Sequence, residues 1–394
     1  MKKLLLFLFG VLMAFPSFAH EFKYTYKGQT LTYTVLDENA KTCEIKYSSS
    51  VNEVSGTLII PSLAMDGNIA YSVTEIGVRA FCDCSNLTSV AIPNSVTTIC
   101  ESAFCRCSSL KSVSIPNSVT LIDNYAFYDC TGLTRAEFAS VESLCQIEFK
   151  NFCSNPLYYS QKLYLGGKEI RGLYIPNTVT SIGNYAIYGG AGLSWVFISN
   201  SVTSIGAYAF CGCTGLTSIS IPNSVTYIGD AAFFMCTGLK RAEFSSLESL
   251  LKIRFVGSYS NPLRNAHSLY IDGKEITEVV IPETVTTIGN YSFEGFTNLK
   301  SVTIPGSVTS IGIGAFSKCS SLKSVTIPNS VTTIDRYSFS CCTGLESVII
   351  PGSVTTIDSN AFEYCTALKS VTIPGSVTSL GGSVFENCSG LTKV

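Results

Sequence analysis

Along most of the chain the apolar residues fall on a fixed grid. Between Leu110 and Cys130 the grid positions are Leu110, Val113, Ile115, Val119, Ile122, Ala126, Phe127 and Cys130, with Ser, Thr, Asn and Asp frequent between them. The Leu-x-x-Val-x-Ile piece predicts a short strand with Val113 and Ile115 facing inward and Ser112 and Ser114 outward. Proline follows and ends the strand, because it has no N–H to donate to a ladder. Ile-Pro recurs at Pro61, Pro93, Pro116, Pro176, Pro222, Pro282, Pro305, Pro328, Pro351 and Pro374, and the last five are spaced by 23 residues. Between Pro176 and Pro222 the spacing is 46, with Ser199 in the middle position. A period of this size means stacked coils, and it overrides a domain count taken from length.

The residue after each Val-x-x-Ile piece is often glycine (Gly77, Gly183, Gly206, Gly229, Gly289, Gly312, Gly381) and otherwise Asp123, Asp335, Asp358 or Cys100. That mix suggests a turn with positive φ. Phe127 and its equivalents Phe81, Phe104, Phe210, Phe233, Phe293, Phe316, Phe339, Phe362 and Phe385 are expected to fill the back of each coil. No coil can bury this core alone, so stacking must do it.

The unit Ile-Pro-x-Ser-Val-Thr-x-Ile-Gly-x-x-Ala-Phe-x-x-Cys-x-x-Leu-x-Ser-Val resembles the BspA-like leucine-rich repeat, the Treponema pallidum class. The resemblance covers roughly residues 57–394. It implies a leucine-rich repeat solenoid with a parallel β-sheet on its concave face. It also implies a bacterial surface or secreted protein that binds host matrix proteins or other cells, although fold alone does not determine function.

Two segments break the period. Pro116 to Pro176 and Pro222 to Pro282 are each 60 apart. Both contain Arg-Ala-Glu-Phe (from Arg135 and Arg241), Ser-Asn-Pro-Leu (from Ser154 and Ser260) and Gly-Lys-Glu-Ile (from Gly167 and Gly273), all at an offset of 106. A larger unit has been duplicated. Ser140 to Phe149 and Ser245 to Phe255 predict short amphipathic helices. Leu163 to Ile175 and Leu269 to Ile281 predict hairpins turning at Gly-Lys and Asp-Gly-Lys. The inserts thus span approximately 138–175 and 244–281. Phe22 to Ile45 alternates like a strand, and the first coil needs a cover, so 20–56 reads as a β cap on a 57–394 solenoid. The extra residues between Pro61 and Pro93 predict a loop around Met65 to Tyr71. Leu391 to Val394 starts a strand that stops before its Ile-Pro, which suggests a partner over the last coil or a truncated copy.

Residues 1–19 have the pattern of an export signal: Lys2 and Lys3, an apolar run from Leu4 to Phe15, then Pro16-Ser17-Phe18-Ala19. Cleavage there makes His20 the first residue. No later apolar run reaches the ~18 residues of a membrane span. The expectation is a secreted or cell-surface protein without a transmembrane segment. A net charge of −2 and only 14% charged residues give no electrostatic case for nucleic acid.

Nine of the 17 cysteines share one column: Cys84, Cys107, Cys130, Cys213, Cys236, Cys319, Cys342, Cys365 and Cys388, with Gly190 and Phe296 in the other two places. Export and abundance invite disulfides. A buried ladder of small apolar thiols would give the same column. Coils about 4.8 Å apart with parallel Cβ directions make poor bridge geometry. Cys-x-Cys at Cys82, Cys105 and Cys211 is weak as a zinc signature. Two histidines, His20 and His267, leave little for acid–base or Cys–His chemistry. No catalytic residue, metal site or cofactor is expected; a thiol-dependent enzyme is the remaining chemical alternative.

A binding face is better supported. The outward strand positions are small and polar in most coils, as in Ser112 and Ser114 or Ser324 and Thr326. The middle coils place Tyr174 on one strand and Trp195 with Phe197, including the sole tryptophan, on the next. Exposed aromatics in one patch are enriched in binding hot spots. Covering by an insert hairpin is the alternative. Arg135 with Glu137, and Arg241 with Glu243, fall in the same columns on flanking turns. The expected partner is a host matrix or cell-surface protein, with glycan capture as the second reading.

Overall fold

The computed structural model describes residues 20–46 and 54–393. The expected export signal, residues 1–19, lies outside the described residues. The chain winds into a β-solenoid of about 13 turns, with parallel strands recurring about 23 residues apart. Each regular coil has three sides. One carries a strand of three to five residues, such as Ser112–Ile115, Trp195–Ile198 or Ser324–Thr326. A second carries a two-residue strand, such as Thr98–Ile99 or Ser204–Ile205. The third side is built of turns.

In-register stacking follows from the period. Val90 pairs beside Val113 and Val113 beside Ala136, so identical columns lie over one another. The phenylalanine column is buried up to the half-buried Phe385 of the last coil, and its rings stack at 5.2–5.6 Å from Phe293 through Phe316, Phe339 and Phe362 to Phe385. Each fully buried ring contributes about 1.5–3 kcal/mol of apolar transfer. Polar columns are ladders too. In several coils the serine after Pro-Asn or Pro-Gly donates to the valine carbonyl of the coil before, as Ser118 does to Val96 O and Ser353 to Val331 O, both at 2.7 Å.

Gly77, Gly183, Gly206, Gly229, Gly289, Gly312 and Gly381 do not have the expected positive φ. The left-handed residues lie on the turn side, two before and two after the phenylalanine, as at Tyr125 and Asp129. The reason for glycine is close approach. A Cβ on Gly229 would sit 2.4 Å from Ala207 N, and one on Gly381 2.3 Å from Ser359 N.

The N-terminal strands Glu21–Tyr26, Gln29–Asp37 and Thr42–Ile45 form an antiparallel cover. It joins the two-residue-strand side where Thr42–Ile45 pairs in parallel with Ile69–Ile76. His20 closes the cover, its Nδ1 2.9 Å from Glu38 and its Nε2 2.8 Å from Asp66. The expected loop around Met65 to Tyr71 is instead a hairpin, Leu63–Asp66 against Ile69–Ile76, because Gly67 supplies the left-handed turn residue.

In the inserts the helices are shorter than expected. Helix α1 is Val141–Gln146, capped by Ser140, and Glu148–Phe149 already rejoins the ladder. After Asn155-Pro156 comes a turn of helix that the pattern did not announce, α2 (Leu157–Ser160). The second insert repeats both as α3 (Leu247–Lys252) and α4 (Leu263–Ala266). The hairpins end at Ile170 and Ile276, earlier than expected, and Gly172–Ile175 and Glu278–Val280 belong to the next coil.

Candidate binding site

Tyr174, Trp195 and Phe197 come together on the longer-strand side. Gly172–Ile175 runs parallel to Trp195–Ile198, with Gly172 opposite Trp195 and Tyr174 opposite Phe197. Leu173, Ile175, Val196 and Ile198 are buried, so strand alternation sends the aromatics outward. The Tyr174 and Phe197 rings stack at 5.2 Å and 3°. No hairpin covers them: Tyr174 is 53% exposed, Trp195 48% and Phe197 44%. The indole lies across Gly172, where an added Cβ would meet Trp195 Cε2 at 2.1 Å. Glycine at 172 therefore makes room for the indole.

The neighbouring strand puts Ser218 beside Trp195 and Ser220 beside Phe197. Arg241 and Glu243 come next in the same two rows. The floor of small serines thus lies between the aromatic rings and a charged rim. Ser220, Glu243, Phe244, Ser245 and Asp272 line a hollow of about 220 Å³ there.

Arg135, Glu137, Arg241 and Glu243 are on strands, Arg135–Phe138 and Arg241–Phe244, not on flanking turns. Each pair clasps its hairpin. Arg135 donates to Glu137 at 2.7 Å and lies 4.6 Å over the Tyr164 ring, while Gly167 N–H donates to Glu137 Oε1 at 2.7 Å. Arg241, Glu243, Tyr270 and Gly273 repeat this at 2.9, 4.2 and 2.9 Å. Arg135 and the Gly167 N–H hold the Glu137 carboxyl below its usual range against the opposing effect of burial. Sequence columns alone could not separate a clasp from a ligand contact.

Of the 17 cysteines, all but Cys100 and Cys341 are buried. Those of the nine-member column are buried, and eight donate to the carbonyl of the residue 26 positions earlier, a phenylalanine of the coil before in seven cases and Ile187 for Cys213. Cys130, for example, donates to Phe104 O at 3.1 Å. Gly190 and Phe296, which interrupt the column, each lie in the coil that follows an insert. Burial pushes the thiols of Cys145, Cys236 and Cys342 up to about 12, which suits packing and not nucleophilic attack. His267 sits at the C-terminus of α4, its Nδ1 3.2 Å from Gly295 O. Among the described residues no group of three or more His, Cys, Asp or Glu could hold a metal ion. No described helix is long and apolar enough to cross a membrane.

A model of the BspA type leucine rich repeat region matches in six copies over residues 65–164, 158–261 and 266–392. A leucine rich cell surface protein from Faecalibacterium prausnitzii is similar at 29% identity over 94% of each chain, with a TM-score of 0.61. A leucine-rich repeat protein from Bacteroides ovatus shares 24% identity over 94% of this chain and 100% of its own, with a TM-score of 0.48. The pneumococcal vaccine antigen PcpA shares 19% identity over 93% of this chain and 85% of its own, with a TM-score of 0.51, and supports the fold alone. No curated protein sequence matches.

Proposed function

Since the chain belongs to the BspA-type leucine-rich repeat family, we propose that it is a secreted or surface-displayed protein that captures a host matrix or cell-surface protein. In this reading residues 1–19 direct export, 20–56 cap the first coil, and the solenoid of 57–394 presents the ligand site. The protein binds and performs no chemistry. The observation that carries the reading is the aromatic platform of Tyr174, Trp195 and Phe197, in columns that most other coils fill with serine and threonine. Exposed rings with no intramolecular cover add solvation cost and give binding energy when a partner covers them. The similarity to a leucine rich cell surface protein supports the location. Arg135, Glu137, Arg241 and Glu243 act as the rims of the platform, held by their hairpins.

Glycan capture is the second reading. It is favoured by the stacked Tyr174–Phe197 faces and by the Glu243 and Asp272 carboxylates around the adjoining hollow. Parallel binding to immobilised matrix proteins and to a glycan panel separates the two. Binding to a matrix protein that is lost in Trp195→Ala supports the first; an interaction set unchanged in Trp195→Ala removes the platform from both.

A further inference from the structure

Glu294 is a carboxylate in the turn side of the coil that follows α4, and it is only 3% exposed. Its Oε1 accepts from Ser258 Oγ at 2.8 Å and from Arg264, whose guanidinium also lies 4.3 Å over the Tyr259 ring. Its Oε2 is buried with no hydrogen-bond partner among the described residues. A buried polar atom left so is costly, and such exceptions call for an explanation. Glu294 lines a cavity of about 330 Å³ with Tyr291, Gly314, Ser317, Lys318 and Tyr337, a size at the lower end of ligand pockets.

The duplication supplies an internal control. At an offset of 106, Ser258, Arg264, Glu294, Gly314 and Ser317 correspond to Phe152, Tyr158, Tyr188, Tyr208 and Cys211. In the first copy those rings pack together: Phe152 with Tyr158 at 5.2 Å, Tyr158 with Tyr188 at 5.5 Å, Tyr185 with Tyr208 at 5.2 Å. The second copy has lost four of these rings and gained a buried carboxylate in the cavity lining and an open floor at Gly314. Tyr337 adds a wall where the first copy has Ala231.

We propose that this cavity binds a neutral polyhydroxylated ligand, a saccharide ring, with Glu294 Oε2 accepting one of its hydroxyls. The charges around the cavity already balance, Arg264 and Lys318 against Glu294 and Glu363, so a further cation meets two positive neighbours. The missing partner is a neutral O–H donor. Ser317 and Lys318 offer further polar contacts, and the Tyr291 and Tyr337 rings suit the apolar face of a sugar. Burial pushes the Glu294 carboxyl upward, with Arg264, Ser258 and Lys318 opposing it, and a hydroxyl donor would add to the opposition. This site is independent of the strand-side platform.

The test is saturation-transfer NMR on the full exported chain, with glucose, galactose, mannose and N-acetylglucosamine at millimolar concentration and agmatine as the cationic probe. At least one sugar is expected to bind, with affinity falling about tenfold or more in Glu294→Gln and in Tyr337→Ala. Tyr337 is surface-exposed, so that variant reports on the site without disturbing the fold. Trp195→Ala is expected to leave the sugar bound as before. The proposal is overturned if no sugar binds, if agmatine alone binds, or if Tyr337→Ala keeps full affinity while Trp195→Ala loses it.

Discussion

Asn155 and Asn261 occupy equivalent places in the two inserts and do the same work. Asn155 Nδ2 donates to Tyr185 O and Ala186 O, both at 2.9 Å, and its Oδ1 accepts from Leu157 N. Asn261 does so for Tyr291 O, Ser292 O and Leu263 N. In a regular coil the alanine carbonyl takes its hydrogen bond from the previous phenylalanine N–H, as Ala103 O does from Phe81. The insert removes that N–H, and the asparagine amide replaces it. Around this shared anchor the copies diverge on opposite sides. The first carries rings on both sides: the platform at Tyr174, Trp195 and Phe197, and the cluster of Phe152, Tyr158 and Tyr188. The second has Val280, Ser301 and Thr303 in the platform positions and Glu294 with Arg264 in place of the ring cluster. Scaffold positions repeat because the ladder must be completed; the positions that differ are those that stacking leaves unconstrained.

If the anchors are equivalent, Asn155→Ala and Asn261→Ala each cost about 2 kcal/mol, since each takes the asparagine donor from a buried carbonyl, Ala186 O or Ser292 O, while Tyr185 O and Tyr291 O keep the N–H of Tyr188 and Glu294. Urea denaturation measures both, and a large loss in one with none in the other breaks the equivalence. Converting the second copy's charged pair to rings, Glu294→Tyr with Arg264→Tyr, is expected to raise stability by about 1–2 kcal/mol, because well-packed apolar groups often replace a buried ion pair with a gain. A lower melting temperature in the double variant would show that the two turn-side clusters are not interchangeable.

Smaller effects follow. Gly172→Ala is expected to change stability by less than about 0.5 kcal/mol, because the atoms it displaces belong to an exposed ring, yet to move the indole. With one tryptophan in the chain, a shift in its fluorescence maximum reads this directly, and an unchanged spectrum contradicts the packing. The thiol columns predict an alkaline limit. Burial raises Cys145, Cys236 and Cys342 from 9.0 to about 12, so the neutral thiol is favoured in the fold. That stabilisation is complete below pH 9 and is lost as pH rises toward 12, while iodoacetamide at pH 8 labels few thiols before denaturation and all 17 after it.

The 23-residue grid, the buried phenylalanine and cysteine columns and the outward Tyr174, Trp195 and Phe197 were legible because each is set by strand alternation and period. Glycine at Gly229 was legible as a requirement but not as to cause, since backbone approach between coils has no local signature. The Leu63–Ile76 hairpin hid in a segment with only one turn signal. Arg135 and Glu137 read as candidate contacts because their clasp depends on Tyr164 and Gly167, nearly 30 residues away. Glu294 gave no local signal in Phe-Glu-Gly. Setting the two copies side by side, with Tyr188 against Glu294 and Tyr208 against Gly314, would have exposed it.

The central claim is that the ligand sits on the platform. The chain's sole tryptophan is in that platform, so 5-fluorotryptophan labelling gives one fluorine resonance from Trp195. Titration with a matrix protein or glycan that the chain retains is predicted to shift or broaden this resonance, with saturation matching the binding isotherm. A resonance unchanged at saturation would place the ligand elsewhere and contradict the account.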